Sequence, residues 1–389
     1  MNSDILTVIF DDASWNDSNG FKSLVNGSNR STPIWDEAER TSAEALLSGS
    51  RIGMLPVALL GLIGNLLILI LVTRSDVVKK YPLSVYLSAL AVGDFIFCLD
   101  LLRWYLEWAD LIPKDWGDVY CAITNFLGHF AIGLSHWTIL CISLDRMVRV
   151  AFPFKAKTLL TMKLARIVVV VVVFGVGLPN IPHFVFDHQV PVDNTTWMCW
   201  TLQTDTIGPL YYNLMRILIE TPPVILVIFV NCITVFKLRS HWSKMKKEGI
   251  KENWNQKRGN LHMEETALTV TLVVNGTLFV VLETPYSVTE FVAHYRSTDD
   301  ISALPYMFAT VFKLVSGVDH TCNFFVYIIG SAMMRREFIA MFRCPEKADG
   351  TMKTECHTNT IPVIVHPNSV DDDTVASSSF SLSSTNTRL

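Results

Sequence analysis

Long uncharged runs of apolar residues constrain this chain more than any other feature of its sequence. Ile52 to Val72 has no charged residue over 21 positions, and roughly 20 apolar residues suffice for an α-helix to cross a ~30 Å hydrocarbon core. Ile167 to Pro182 is also uncharged. Only 17% of all residues are charged, which argues against buried helices of a large soluble protein. Since lipid offers the backbone no hydrogen bonds, these runs predict membrane-spanning helices.

Seven apolar segments are long enough to span a membrane, and a short amphipathic segment follows the last of them. We predict an all-α membrane protein, a bundle of seven transmembrane helices with a short amphipathic eighth helix at 332–343. An N-terminal tail at 1–50 precedes the bundle at 51–343, and a polar tail at 344–389 follows it. The predicted spans are 52–73, 82–108, 118–147, 164–186, 210–237, 265–293 and 305–329.

Basic residues mark every second loop between the predicted spans. The loops at 74–80, 149–166 and 237–262 are rich in Lys and Arg, the last with eight, whereas the loop at 187–209 has none. Because cytosolic loops retain Lys and Arg, this alternation predicts an N terminus outside and a C terminus in the cytosol, in the plasma membrane. The start of the chain lacks the basic residues of a cleavable signal, so the first span is expected to direct insertion.

Cysteines and sequons agree with this orientation. Cys121 opens the third span and Cys199 lies in a long outer loop, where an oxidising exterior permits a disulfide. Cys344 follows the amphipathic segment and is a candidate for palmitoylation at the inner membrane surface. A sequon at Asn275 lies inside the sixth span and is interpreted as chance. The predicted glycosylation sites are Asn16, Asn26, Asn29 and Asn194.

Four polar residues lie near the middle of three predicted spans: Asn65, Asp94, Asp319 and Asn323. Each could be a separate hydrogen-bonding contact between helices, but four in three spans favour one buried polar cluster. A buried carboxylate needs a partner, a proton or a cation. Ser135, halfway down the third span, could add an oxygen. We therefore hypothesise a sodium ion held by Asp94, Ser135 and Asp319, and expect no other metal or cofactor.

A second set of charged residues lies nearer the outside. On the second span, Asp100, Arg103, Trp104 and Glu107 share one helical face. Snorkelling to the lipid headgroups would explain some of these residues, whereas both signs of charge at matching depths favour a wet cavity open to the outside. The predicted ligand-pocket residues are Arg103, Trp104, Glu107, Arg216, Glu220, Glu290 and Lys313.

An adjacent acid and base, Asp145 and Arg146, end the third span. Cys121 and Arg146 are 25 residues apart, which is about 37 Å of α-helix. With Cys121 at the outer surface, Arg146 emerges at the inner one. The pair is therefore predicted to lie at the cytosolic mouth, where a salt bridge can be made or broken at little cost.

Short motifs recur in order along the seven spans. They are Gly64 with Asn65, "LAVGD" ending at Asp94, Trp116 before Cys121, Asp145 with Arg146, Pro222 with Pro223, Phe279 with Pro285, "NFFVY" from Asn323 to Tyr327, and Phe338. In this order the chain resembles a rhodopsin-like (class A) G-protein-coupled receptor from about residue 50 to residue 345. Each motif is weak alone, but the ordered set on seven spans is specific.

The resemblance implies a switch between two states. An outer ligand would rearrange the bundle and open a cytosolic pocket for a heterotrimeric G protein. Arg146 would be held by Asp145, and by Glu265 at the base of the sixth span, until activation. Asn323 and Tyr327 would belong to the same switch, with Tyr327 helping to stabilise the open form.

The chain departs from the family pattern at four places, one of which is the lack of the usual Trp in the fourth span. Met147 stands where Tyr is usual after the acid and base, and Phe324 stands where Pro is usual. The aromatic residue expected two positions before the proline of the sixth span is Glu283, which should lie near Asp94 and Asp319. Three close carboxylates cannot all remain charged without a cation, so we expect at least one to be protonated or ion-bound.

Two positions exclude ligand classes that the resemblance would allow. Gly128 stands where amine receptors carry an acid, and Gly317 stands where opsins carry the retinal-binding Lys, with Lys313 one turn away. The acidic N-terminal tail and the mixed charges favour a peptide, and the texture resembles invertebrate neuropeptide receptors of the FMRFamide-like or myoinhibitory peptide type. A chemosensory receptor for small molecules is the alternative within the family.

No enzyme signature occurs in the sequence, which has neither a zinc H-E-x-x-H motif nor a phosphate-binding G-x-x-x-x-G-K-[ST] motif. We therefore predict no enzymatic activity and no nucleic-acid partner. A seven-span transporter or channel is the alternative from a different class, but the spans lack repeat symmetry.

The C-terminal tail at 344–389 is polar and is expected to be disordered. It places acids beside a dense Ser/Thr cluster, whose phosphorylation would build an anionic patch; in the family that this chain resembles, such a patch recruits arrestin. A plain solvated tail is the alternative. The last three residues, Thr387 to Leu389, match a ligand of PDZ domains.

Overall fold

The computed structural model describes residues 37–113, 116–191, 197–201, 211, 214–247, 256–295 and 303–343. These residues form seven long helices, α1 to α7, and a shorter eighth helix, α8, so the predicted all-α seven-helix fold is confirmed. The bounds are α1 Glu37–Arg74, α2 Leu83–Trp108, α3 Asp118–Ala151, α4 Met162–Asn180, α5 Thr221–Lys247, α6 Gln256–Tyr295, α7 Ala303–Gly330 and α8 Ala332–Arg343.

Several helices extend beyond the apolar runs that predicted them. The first helix begins at Glu37 rather than at residue 52, because the added segment is rich in Ala, Glu and Leu, which are strong helix formers. Leu47 and Arg51 in this segment are buried against the bundle. α5 continues to Lys247 and α6 begins at Gln256, so both helices project past the predicted spans at this end of the bundle.

Six of the described helices are long and apolar enough to cross a membrane, and α7 is not one of them. The reason lies in its own sequence, because α7 carries Lys313, Asp319, His320 and Asn323 within its length. All four side chains are buried inside the bundle. The last spanning helix is thus stabilised by polar contacts with its neighbours rather than by an apolar surface alone.

The third helix occupies the centre of the bundle and contacts α2, α4, α5 and α6. The helix α4 lies at the periphery, with only Ala165, Val176 and Asn180 of its residues buried. Val170 and Val171 of its valine run face outward, and Val171 is 63% exposed. Outward-facing apolar side chains of this kind suit a lipid environment, in which the backbone bonds are satisfied within each helix.

A glycine brings α2 and α3 into close approach at mid-bundle. A Cβ atom on Gly93 would lie 2.6 Å from Oγ of Ser135 and 3.3 Å from the backbone oxygen of Ala131. Only glycine fits such a distance without displacement of the neighbour. The next residue, Asp94, is thereby placed against Ser135.

Side chains of α3 support the backbone where α5 begins. A π-helical turn at Arg216–Glu220 precedes Pro222 and Pro223, and proline has no N–H to donate to the preceding turn. The carbonyl of Ile219 instead accepts a 2.9 Å hydrogen bond from Nε1 of Trp137. Neighbouring helices often satisfy carbonyls freed in this way in membrane proteins.

The outer end of α3 is fixed to a two-stranded hairpin. Strands β1 (Asp187–Pro191) and β2 (Trp197–Thr201) pair antiparallel, with Gln189 opposite Cys199. A disulfide joins Cys121 of α3 to Cys199 of β2, which confirms the predicted pairing. The backbone N–H of Gln189 also donates to Oδ1 of Asp118 at 2.7 Å. The hairpin is therefore attached to α3 by covalent and polar contacts.

The helix α8 packs against the inner ends of α7 and α1. The ring of Phe324, at the usual position of a proline, contacts Phe338 of α8 with centroids 5.4 Å apart. Oγ of Ser75 donates to Oε2 of Glu337 at 2.8 Å. These two contacts, together with the buried side chain of Met334, fix the amphipathic helix to the bundle.

Candidate functional site

The acid and base near the C-terminal end of α3 form a buried ion pair. Nη2 of Arg146 donates to Oδ2 of Asp145 at 2.6 Å, and the two side chains are 8% and 1% exposed. Nε of Arg149 donates to the same oxygen at 2.8 Å. From the sequence, Arg149 is expected to anchor the topology and to contact the G protein, and its spacing of four residues from Asp145 also favours the observed contact. The side chain of Glu265, the second predicted partner, lies outside the described part of the chain.

The two switch residues of α7 point in different directions. Nδ2 of Asn323 donates to Oδ2 of Asp94 at 2.6 Å, towards the core. The hydroxyl of Tyr327 accepts from Nδ2 of Asn275 on α6 at 3.4 Å. Asn275 is buried in this contact, which agrees with the interpretation of its sequon as chance. The pair thus connects α7 to α2 and to α6.

The carboxylate of Asp94 is the best satisfied group of the core. Its Oδ1 accepts from Oγ of Ser135 and contacts Nδ1 of His320, both at 2.7 Å. Its Oδ2 accepts from Asn323. Asn65 also joins the group, since its Nδ2 donates to the backbone oxygen of His320 at 3.0 Å. The predicted polar residues of α1, α2, α3 and α7 therefore do come together.

Glu283 of α6 lies in the same buried region and is fully enclosed. Its Oε1 accepts from Oγ of Ser316 at 2.6 Å. Nε2 of His136 is 3.4 Å from its Oε2, and Nε2 of His320 is 3.5 Å from its Oε1. The imidazole of His320 therefore lies between the carboxylates of α2 and α6.

Asp319 completes the core group as its least satisfied member. The side chain is buried, and its Oδ2 has no hydrogen-bond partner among the described residues. We name the five ionisable side chains of this region the core cluster. Its members are Asp94, Glu283, Asp319, His136 and His320.

The sequence prediction missed both histidines of the core cluster. Each is adjacent to a residue that was named, His136 to Ser135 and His320 to Asp319. The available signal was charge balance, because three buried carboxylates require cationic partners. A lone histidine in an apolar span is usually a packed core residue, which is why the signal was weak.

The geometry around Asp94 does not fit the hypothesised sodium ion. Its two oxygens already accept or contact three side-chain nitrogen and hydroxyl groups. A cation beside His320 would have to displace one of them. No group of three or more His, Cys, Asp or Glu side chains within the described ranges is arranged to hold a metal ion.

The predicted pocket residues of α2 and α7 form an outer ion network. Nη1 of Arg103 donates to Oε1 of Glu107 at 2.8 Å, and its Nη2 donates to Oδ1 of Asp100 at 2.6 Å. Nζ of Lys313 donates to Oδ2 of Asp100 at 3.0 Å and lies 4.0 Å from the ring centroid of Trp104. The charges pair with one another inside the bundle, which favours the cavity interpretation over snorkelling.

A second outer network, which the sequence did not reveal, lies between α3, α5 and the hairpin. Nδ1 of His129 is 2.8 Å from Oε1 of Glu220, and the ring of His129 stacks on His183. Nδ1 of His183 is 2.7 Å from Oδ2 of Asp187, which also accepts from Nδ2 of Asn125 at 2.9 Å. Glu220 is therefore placed in the outer half as predicted. The side chains of the other predicted pocket residues, Arg216 and Glu290, lie outside the described part.

The predicted modification sites also lie outside the described residues. This holds for the glycosylation sites Asn16, Asn26, Asn29 and Asn194 and for the palmitoylation site Cys344. The Ser/Thr-rich tail lies outside them as well. The geometry of the chain therefore bears on the bundle alone.

Comparison with known proteins agrees with this architecture. Residues 64–327 match the 7 transmembrane receptor (rhodopsin family). A Gq-coupled rhodopsin of Mizuhopecten yessoensis is 24% identical over 273 residues, which are 65% of this chain and 52% of the relative. Type-1 angiotensin II receptors of Cavia porcellus and Homo sapiens are 27% and 26% identical over 139 residues, which are 36% of this chain and 38% of each receptor.

The chain spans about half the length, or less, of these curated relatives. The family match, by contrast, runs from the first predicted motif at Gly64 to the last at Tyr327 and covers more than half of the chain. The matched family consists of receptors and not of enzymes. This chain belongs to the rhodopsin family of seven-transmembrane receptors.

Proposed function

We propose that this chain is a plasma-membrane receptor that binds an extracellular ligand and activates a heterotrimeric G protein. The observation that carries the proposal is the buried ion pair of Asp145 and Arg146 at the inner end of α3. The pair lies within residues 64–327, the segment that matches the rhodopsin family. A buried pair at the edge of a bundle is a two-state element, because it can be exchanged for contacts with a docking protein.

The contacts of the bundle supply a route from outside to inside. Lys313 connects α7 to α2 in the outer half, and Asn323 connects the same two helices in the core. Glu283 connects α6 to α7 through Ser316, and Tyr327 connects them again below. A ligand that binds one arrangement of these helices more tightly shifts the equilibrium towards it.

The finer proposal is that the ligand is a neuropeptide. Paired acids and bases line the outer half of α2 and α7, as suits a ligand that carries charges of both signs. One relative is named a rhodopsin, but Gly317 has no amine to bind retinal, and the amine of Lys313 is occupied by Asp100 and Trp104. Exchange of these internal pairs for a peptide's own charges would couple binding to movement of α7.

The orientation of the chain is part of the proposal, with the N terminus outside and the C terminus in the cytosol. The disulfide of Cys121 and Cys199 supports it, because such bonds persist on the oxidising side of the membrane. The basic loop at 237–262 is then cytosolic. We also propose glycosylation of the N-terminal sequons, palmitoylation of Cys344, and arrestin and a PDZ-domain protein as partners of the tail.

The test begins with a ligand search. Cells that co-express the chain with a promiscuous G protein are screened with a synthetic neuropeptide library, using cytosolic calcium as the readout. The active peptide then serves in a nucleotide-exchange assay with the purified receptor and G protein. Arg146→Ala is expected to abolish peptide-stimulated exchange while surface expression persists.

Arg166→Ala is the matched control, since Arg166 is exposed on α4 near the same membrane surface. It is expected to signal normally. Full signalling by Arg146→Ala would remove that residue from its proposed role. Movement of a solute into liposomes by the purified chain, with no G protein present, would favour transport instead.

A further inference from the structure

His320 occupies the place where a buried carboxylate needs a counter-charge. Its Nδ1 is 2.7 Å from Oδ1 of Asp94, and both side chains are almost completely enclosed. An ionised carboxylate removed from water is costly unless a partner of opposite charge or several donors meet it. Asp94 has several such partners, because Ser135 and Asn323 donate to it and Nδ1 of His320 lies within hydrogen-bond distance.

The imidazole is fixed in this position from several sides. Its ring stacks on Phe97 of α2 with centroids 4.0 Å apart. Nδ2 of Asn65 on α1 donates to its backbone oxygen. Its second nitrogen faces Glu283 of α6 at 3.5 Å. One ring therefore bridges acidic groups on α2 and α6 while it is anchored on α7.

Side chains of the bundle already contact both oxygens of Asp94, so no added ion is needed there. The cluster has three carboxylates and two imidazoles, and His136 faces Glu283 at 3.4 Å. A sodium ion at Oδ1 of Asp94 would have to displace Nδ1 of His320, which is held 2.7 Å away.

We propose that the imidazole of His320 fills the position beside Asp94 that a mobile sodium ion would otherwise take. The stability of the folded receptor then does not depend on the sodium concentration. Removal of the imidazole frees Oδ1 of Asp94 and creates a cation site that the native chain lacks. The proposal concerns the bundle alone and does not depend on which ligand or G protein the receptor uses.

The test is thermal unfolding of the purified full-length receptor in detergent, in sodium chloride and in choline chloride at equal concentration. The native receptor is expected to unfold at the same temperature in both salts. His320→Ser is expected to unfold a few degrees higher in sodium chloride, because an ion that binds only the folded state stabilises it. The double variant Asp94→Asn with His320→Ser is expected to lose this difference.

His136→Ser is the matched control, since it removes the other imidazole without touching Asp94 and should respond equally to both salts. His320→Asn is the second variant should the serine variant not fold, and it is also expected to respond to sodium. A sodium-dependent rise in the native receptor would overturn the proposal. So would folded His320 variants that respond equally to both salts.

Discussion

Arg146 and Arg149 share one oxygen of Asp145. Oδ2 of this carboxylate accepts from Nη2 of Arg146 at 2.6 Å and from Nε of Arg149 at 2.8 Å. The side chain of Arg149 is 31% exposed, whereas that of Arg146 is 8% exposed. The more exposed Arg149 therefore competes with the buried Arg146 for the same carboxylate. This competition weakens the ion pair between Asp145 and Arg146.

This competition predicts opposite effects of two substitutions on basal nucleotide exchange. Asp145→Asn removes the charge that holds Arg146 and should raise ligand-free exchange several-fold. Arg149→Ala removes the competing guanidinium, so that Asp145 holds Arg146 more tightly. Ligand-free exchange should then fall about twofold, as expected for the loss of a partly exposed ion pair. The measurement is nucleotide exchange on a purified G protein by receptor in lipid discs without ligand. A rise in basal exchange in the Arg149 variant would contradict this competition.

The disulfide predicts a non-additive loss of ligand binding. Cys121→Ser and Cys199→Ser should each weaken binding of the active peptide at least tenfold, because the hairpin over the bundle loses its covalent attachment to α3. The double variant should bind no worse than either single variant, since both remove the same bond. Cys232→Ser, at an exposed free cysteine, is the control. Losses that add in the double variant would show that the cysteines act separately.

The outer ion network predicts a strong coupling between Asp100 and Lys313. Asp100→Asn leaves the amine of Lys313 buried without its carboxylate and should reduce stability by about 3 kcal/mol. Lys313→Met alone should cost less, because Asp100 keeps Arg103. In the double variant much of the loss should be recovered. The measurement is thermal unfolding of the four proteins in detergent, and simple additivity would argue against the pair.

From the contacts of Glu283 we predict that the stability of the core cluster depends on the charge of this side chain and not on its shape. Glu283→Gln retains the size of the side chain but places an amide between His136 and His320, and should reduce stability by about 1–3 kcal/mol. Thr284→Val is the matched control, because Thr284 is the next residue on α6 and is exposed on its outer face. Thermal unfolding of both variants in one buffer measures the difference. Equal melting temperatures for Glu283→Gln and the native receptor would show that the acid is already neutral there.

The number and order of the spanning helices were predictable because hydropathy acts over about 20 residues and does not depend on partners. The ends of the helices were harder to predict from the sequence. Glu37 to Arg51 and the start of α6 at Gln256 are polar, and their helicity follows from propensity and packing that no apolar run signals. The disulfide was predictable because only two cysteines, Cys121 and Cys199, were expected on the outer side of the membrane.

The candidate site was predictable where residues lie on one helix and less so where several helices meet. The spacing of Asp100, Arg103 and Glu107 already places them on one face of α2. The contacts of His320 with Asp94 and of His129 with Glu220 depend on how α7 and α3 are rotated towards their neighbours. The spacing of residues along one helix does not determine how that helix is rotated against its neighbours. The contacts of these histidines were therefore recognised only in the folded structure.

The polarity of α7 has a consequence for the order in which the chain assembles. A Lys or Asp at the centre of an isolated helix opposes insertion by about 2.5 to 3.5 kcal/mol, and α7 carries Lys313 and Asp319. Its entry into lipid is therefore expected to require α2 and α6, whose acids Asp100 and Glu283 meet it. The last spanning helix to leave the ribosome then completes the bundle. In a chain cut short before residue 303, Asp94 lacks His320 and Asn323, and Glu283 lacks Ser316.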